Sequence, residues 1–386
     1  MARNPNDIAA YRKEKRRKAN ITKLVLTILM ALGVLIIWTF RATIFEPLRG
    51  IAARIDSPGT SGGFPIVLSG SASYDMNRVD TNFLLLSDTY LYTYTNTGSP
   101  VISYRHNYAR PFQRATDRRI LVFNFNGQEF SLFSRTGRVY EIKLDDRIVL
   151  AELGNNDMAA VVTTSAAFSN VLYIYDRNGR WQYTRRFIDE EVNAVTFTSG
   201  NNEIIVATSM VRGGEIISKI YKLRTDTDDD LIWKSELPAG ALALGVYENG
   251  DCISVLTDSM VTALDSDNGS VVGGYEFSSG KLVKYVNGDD FSLVFLSDYI
   301  SDSTLFVTLD TKSGLIKEEI MPFEVKKVEI YEEIVYTLTG DLILKHNMFL
   351  EQTDMTELED EYRDFIILGK YALLLGYESV ERIATD

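Results

Sequence analysis

Residues 261–277 read VTALDSDNGSVVGGYEF: an apolar run, a polar turn ending in Asn268-Gly269, and a second run that carries Tyr275 and Phe277. Glycine supplies the positive φ that a tight turn between antiparallel strands needs, and an aspartate at the turn can cap it through its side chain. The unit recurs as LYTYTNTGSPVISY (91–104), FSLFSRTGRVYEI (130–142), LYIYDRNGRWQYTRRF (172–187), IYKLRTDTDDDLIWKSEL (220–237) and LFVTLDTKSGLIKEEI (305–320). The turn glycines Gly98, Gly137, Gly179, Gly269 and Gly314 recur about every forty residues, with one copy skipped where an Asp run replaces the glycine. Each copy follows a further apolar strand, such as NEIIVATSM (202–210) or DDFSLVFLSD (289–298).

Four strands in about forty residues make one blade of a β-propeller. Innermost strands are expected to start near Ser73, Phe112, Arg147, Val192, Ala241, Lys281, Lys326 and Tyr362, which gives an all-β fold of eight blades. Seven is the alternative count, because the copies after Pro322 are degenerate. The last set, from Tyr362 to Asp386, supplies only three strands, and FPIVLSG (64–70) is expected to add the fourth and close the ring without an open sheet edge.

Outward from the repeat, the N-terminal end has another character. Residues 1–23 hold eight Lys/Arg against Asp7 and Glu14, a balance of +6. The remainder holds 32 basic and 51 acidic residues, a balance of −19. Leu24 to Phe40 (LVLTILMALGVLIIWTF) is a run of seventeen residues without a charge, and Ile21 and Thr22 extend it if Lys23 snorkels. The expected organisation is a cytoplasmic basic tail (1–20), a transmembrane signal-anchor (21–40), a juxtamembrane linker (41–63) and a propeller (64–386). The cations before the span place the N-terminus in the cytoplasm and the propeller outside it. Arg41 follows the run directly, where a cleaved signal peptide needs a small-x-small site. An acidic body with one short basic end argues against a nucleic-acid partner, since phosphate contacts need clustered cations.

Ala263-Leu264-Asp265-Ser266-Asp267-Asn268-Gly269 with Tyr275, Leu309-Asp310-Thr311-Lys312-Ser313-Gly314, and Trp233 together resemble the repeat of quinoprotein-like (PQQ-like) propellers. The whole layout resembles a clostridial family of single-pass membrane propeller proteins to which no activity is assigned. Redox members of the quinoprotein group use an adjacent cysteine pair with a calcium-bound cofactor, and a single Cys252 cannot reproduce the pair. The resemblance therefore implies the fold and the non-catalytic members, such as an outer-membrane assembly lipoprotein that acts as a scaffold, with no cofactor.

Candidate chemistry is sparse. Asp226, Asp228, Asp229 and Asp230 offer alternating oxygen ligands of the kind calcium takes, yet Leu231 and Leu237 stand where a calcium-binding loop wants glycine and glutamate. A polar hairpin turn is the preferred reading, so Asp226, Asp228 and Asp230 are weak metal candidates. Arg105, Arg110, Arg114, Arg118 and Arg119 surround His106 and interleave with Tyr104, Tyr108 and Phe112. Guanidinium forks match carboxylate and phosphate, so this stretch is a candidate contact for an anionic polymer; solvated loop arginines are the alternative. His346 is expected in a turn and Cys252 as a buried structural thiol. No G-x-S-x-G elbow occurs. Residues 100–190 carry a balance of +3 and residues 191–386 one of −21, so one sector of a ring is expected to be arginine-rich and the rest acidic.

The leading expectation is a non-enzymatic interaction or scaffold module of the cell envelope, with an envelope protein as partner and the bilayer contacted through the N-terminal helix. A binding module or sensor for an anionic envelope glycopolymer is the second, and a glycan hydrolase or lyase using a funnel carboxylate the third.

Overall fold

The computed structural model describes residues 63–68, 73–199, 202–227, 229–277, 280–288, 290–297, 303–347 and 351–385. The basic tail, the apolar segment Leu24 to Phe40 and nearly all of the linker lie outside the described residues. Among the described residues no helix is long and apolar enough to cross a membrane. They form eight four-stranded antiparallel sheets, the eight blades that the repeat predicts.

The innermost strands are Asp75–Val79, Pro111–Ala115, Ile148–Leu153, Glu191–Phe197, Ala243–Asn249, Lys281–Asn287, Lys327–Tyr331 and Asp364–Leu368, in blades 1 to 8. Each starts within two residues of the position read from the sequence. Blades 1 to 7 are meanders of four consecutive strands. Blade 8 takes three strands from the C-terminal end, and Ile66–Val67 pairs antiparallel with Ser379–Ala384 as the fourth, Ile66 opposite Val380 and Val67 opposite Ser379. The two ends of the ring are thus hydrogen-bonded to each other, which removes a free edge at the closure.

The second strand of a blade is covered on both faces by its neighbours, so it reads as a continuous apolar run rather than an alternation. Asn82–Leu86 (NFLLL), Ala159–Thr163 (AAVVT) and Cys252–Thr257 (CISVLT) are buried at every position. Among the described residues the apolar core divides into eight clusters, each shared by two adjacent blades. Burying Leu, Ile, Val and Phe side chains at about 1.5–3 kcal/mol each makes these seams the main source of stability.

The repeated turn also explains the seams. Asp265 Oδ1 accepts the backbone N–H groups of Asp267 and Asn268, and Asp310 Oδ1 those of Lys312 and Ser313. These bonds, the one from Ser313 first, hold the Asp310 carboxyl below its ordinary range. Gly269 has φ +72, and a Cβ there would stand 2.6 Å from the Trp233 ring of the preceding blade. Only glycine admits that approach. Trp233 Nε1–H donates to the Ser266 carbonyl at 2.9 Å in the same turn. Tyr140 covers Gly179 between blades 2 and 3, and Phe64 covers Gly98 at the closure. At these three seams an aromatic side chain of one blade seals the glycine turn of the next, whereas the Gly314 turn meets Gly273 of the preceding blade instead.

Candidate functional site in the central channel

The innermost strands line the channel, and their polar side chains join blade to blade. Gln113 Nε2–H donates to Asp75 Oδ2 at 2.9 Å, joining blades 1 and 2. Arg114 Nε–H meets Glu152 Oε2 at 2.9 Å, joining blades 2 and 3. Tyr247 and Tyr285 pack with ring centroids 4.7 Å apart between blades 5 and 6. Lys327 Nζ donates to Asp364 Oδ2 at 2.9 Å between blades 7 and 8. Burial raises the Glu152 carboxyl pKa, and the Arg114 guanidinium opposes the shift.

A cavity of about 280 Å³ opens in this channel, lined by Asp75, Asn77, Gln113, Arg114, Lys284, Lys327, Glu329 and Asp364 among others. The pairing of blade 6's inner strand shifts between Leu282 and Lys284, which brings Lys284 opposite Phe295; such bulges re-aim side chains. Burial lowers the Lys284 pKa, and the nearby Lys327 ammonium lowers it further. Glu329 keeps an opening to the channel but is ringed by protein, and that burial raises its pKa to about 7 against the opposing pull of Arg78 and Lys284. Arg78 of blade 1 lies with its guanidinium carbon 5.0 Å from the Tyr331 ring centroid of blade 7, and its Nη1 is buried without a hydrogen-bond partner.

A larger cavity of about 390 Å³ lies between blades 4 and 5 and includes Glu203, Glu248, Asp251, Asp265 and Asp267. Three of its carboxylates are already engaged. Glu203 pairs with Lys222, Glu248 with Ser199, and Asp265 caps its own turn.

The structure disperses the arginine stretch. Arg105 ends the outer strand of blade 1, exposed, and Arg110 lies exposed in the link to blade 2. Arg114 enters the channel and is paired with Glu152. Arg118 and Arg119 lie beyond the other end of that inner strand, where both meet Asp157, at 3.3 and 3.4 Å. A stretch contiguous in sequence is thus split among an edge, a link, the channel and a hairpin, because it crosses from one blade to the next. His106 is buried; its Nδ1 accepts the Tyr108 N–H, so its Nε2–H donates to the Ser87 carbonyl at 3.1 Å. Burial lowers its pKa.

The remaining candidates are structural. Asp230 is held by the Tyr183 hydroxyl and the Arg185 guanidinium, and Asp226 accepts from Asn202 Nδ2 at 2.9 Å. Asp228 lies outside the described residues. Among the described residues no group of three His, Cys, Asp or Glu is placed to hold a metal ion. His346 does not sit in a turn: it ends the buried third strand of blade 7, 5.7 Å from the Phe306 ring. LILKH alternates too little to separate a buried strand end from a turn. Cys252 is buried and its Sγ–H donates to the Thr311 carbonyl at 3.2 Å. Lys284, Glu329 and Arg78 carry no sequence motif; only the ring brings strands 78, 284 and 329 together.

The chain is an eight-bladed β-propeller. Residues 66–230 match a family of unknown function (DUF5711). No curated protein matches the sequence. Among solved structures, the computationally designed protein Ika8 superposes with a TM-score of 0.61 at 10% identity, over 82% of this chain and 98% of its own. BamB from Moraxella catarrhalis gives 0.55 at 12% identity, over 82% and 94%. Apo AztD from Citrobacter koseri gives 0.54 at 10% identity, over 76% and 88%. At these identities the likeness establishes the fold and nothing further.

Proposed function

We propose that this chain is a membrane-anchored, extracytoplasmic β-propeller that acts as a non-enzymatic protein-interaction or scaffold module of the cell envelope. The observation that carries the interaction reading is an apolar patch at the seam of blades 5 and 6. Gly273 and Gly314 approach so closely that a Cβ on Gly273 would stand 2.8 Å from the Gly314 Cα. Around that contact Val271 (66% exposed), Val272, Leu315 (71%) and Ile316 all face solvent. Clustered apolar surface framed by polar residues marks protein-interaction sites, and rigid blades hold such a surface fixed. Anchoring rests on the uncharged run Leu24 to Phe40 and the cations before it.

The glycopolymer alternative rests on Arg105 and Arg110, since Arg114, Arg118 and Arg119 already face carboxylates. In-cell crosslinking of the tagged full chain, followed by mass spectrometry of the membrane fraction, tests the proposal. A discrete protein adduct that disappears in V272D/L315D supports it. Glycan adducts without any protein adduct, lost in Arg105→Ala with Arg110→Ala, overturn it.

A further inference from the structure

The channel contains donors that no protein acceptor satisfies. Its carboxylates are largely committed: Asp75 accepts from Gln113, Glu152 from Arg114 and Asp364 from Lys327. Lys284 makes no hydrogen bond or ion pair among the described residues, although the Lys327 ammonium stands close enough to repel it. Arg78 Nη1 is buried without an acceptor. A buried donor left unpaired costs about 1–3 kcal/mol. The carboxylates of Glu329, Asp364 and Asp75 attract Lys284, but none of them hydrogen-bonds it, and Asp364 and Asp75 are already engaged by Lys327 and Gln113. An anion in the cavity would give Lys284 the acceptor it lacks.

We propose that the central channel is a binding site for a small organic anion whose carboxylate or phosphoryl oxygens accept from Lys284, in a cavity of about 280 Å³ that Lys284, Lys327 and Glu329 line. A cavity of that size is near the lower end of small-molecule sites, which fits a compact ligand rather than a polymer chain. Glu329 gates the site. In its neutral form it offers the anion an O–H donor; ionised, it supplies a competing negative charge beside Lys284.

Occupancy therefore depends on pH. The groups facing Glu329 are Arg78 from blade 1, Lys284 from blade 6, Lys327 on its own strand and Asp364 from blade 8. Its carboxyl changes charge near neutrality, so affinity is highest below that range and falls as the pH rises through it. The site is independent of the apolar seam of blades 5 and 6, so either can fail without the other.

Isothermal titration calorimetry on the full chain in detergent micelles tests the site with two probes, malonate for a carboxylate ligand and sulfate for a phosphoryl one. Sulfate stays dianionic from about pH 6.5 to about pH 8; malonate holds its second proton more tightly than a lone carboxylic acid does, and the fraction still protonated at the lower pH works against the expected trend rather than producing it. Expected is saturable binding of at least one probe, weaker by at least about threefold at the higher pH, a fraction of the tenfold that one pKa unit represents. Lys284→Met lowers affinity at least about tenfold, the loss of one charge-assisted bond, while Arg110→Ala leaves it unchanged. Glu329→Gln binds with the tighter affinity at both pH values. Should Lys284→Met fail to fold, the wild-type pH series and the isosteric Glu329→Gln decide the matter. Absence of saturable binding by both probes, or binding insensitive to pH and to Glu329→Gln, overturns the proposal.

Discussion

The seam between blades 4 and 5 and the chamber between blades 1, 6 and 7 are built from the same kinds of strand but satisfied to different degrees. At the seam Trp233 covers Gly269 and donates to Ser266, whose carbonyl also accepts from Lys222. In the chamber, Arg78 Nη1 is buried beside the Tyr331 ring without a hydrogen-bond acceptor, and neither Lys284 nor Glu329 makes a hydrogen bond among the described residues. Buried polar groups are ordinarily paired. The difference teaches where stability ends and selectable surface begins: the outer ring is locked, while the axis holds charges at some cost to the fold.

The sharpest way to break the contrast is at the seam. Trp233→Ala removes a buried indole and its hydrogen bond and is expected to cost about 3–5 kcal/mol, read from urea unfolding of the full chain. A loss below about 1 kcal/mol contradicts the locked seam. The chamber behaves in the opposite sense. The folded-state pKa of Glu329, about 7, lies above the 4.5 of an ordinary glutamate. The folded state therefore binds its proton more tightly than the unfolded chain does. Its stabilising contribution is full below the unfolded value and lost as the pH rises through the folded one. Glu329→Gln is thus expected to raise stability by up to about 3 kcal/mol above that window and to change little below it, checked by thermal unfolding across the pH range.

Smaller effects refine the picture. Asp310→Ala unmakes two turn bonds and is expected to cost about 1 kcal/mol. With a depressed folded pKa, the aspartate's contribution is present above its unfolded value and fades as acid protonates it, so the variant and the native chain converge at low pH. Arg118→Ala, on an exposed side chain facing Asp157, is expected to change stability by less than about 1 kcal/mol. Such a loss, if measured, weakens further in high salt.

Why one region was legible and the other not follows from how each is specified. A blade is encoded locally: the Asp265-to-Gly269 and Asp310-to-Gly314 turns and the fully apolar second strands announce themselves within about twenty residues, so eight inner strands could be placed to within two. The chamber is encoded by ring closure. Arg78 meets Tyr331 only because blade 1 and blade 7 both flank blade 8, some 250 residues apart in sequence, and no spacing rule reaches that far. Contiguity misled in the same way at 105–119, where neighbouring arginines cross a blade boundary and separate. His346 belongs to a run too short to distinguish strand from turn.

Labelling of intact cells tests most directly whether the propeller is displayed outside the cytoplasm. Cys252 is the only cysteine and is buried, so it contributes little background to a membrane-impermeant maleimide. Tyr377→Cys places a thiol at an exposed position on blade 8. Display outside the membrane predicts that this variant is labelled on intact cells. Labelling that occurs only after the cells are permeabilised contradicts an extracytoplasmic propeller and, with it, an envelope role.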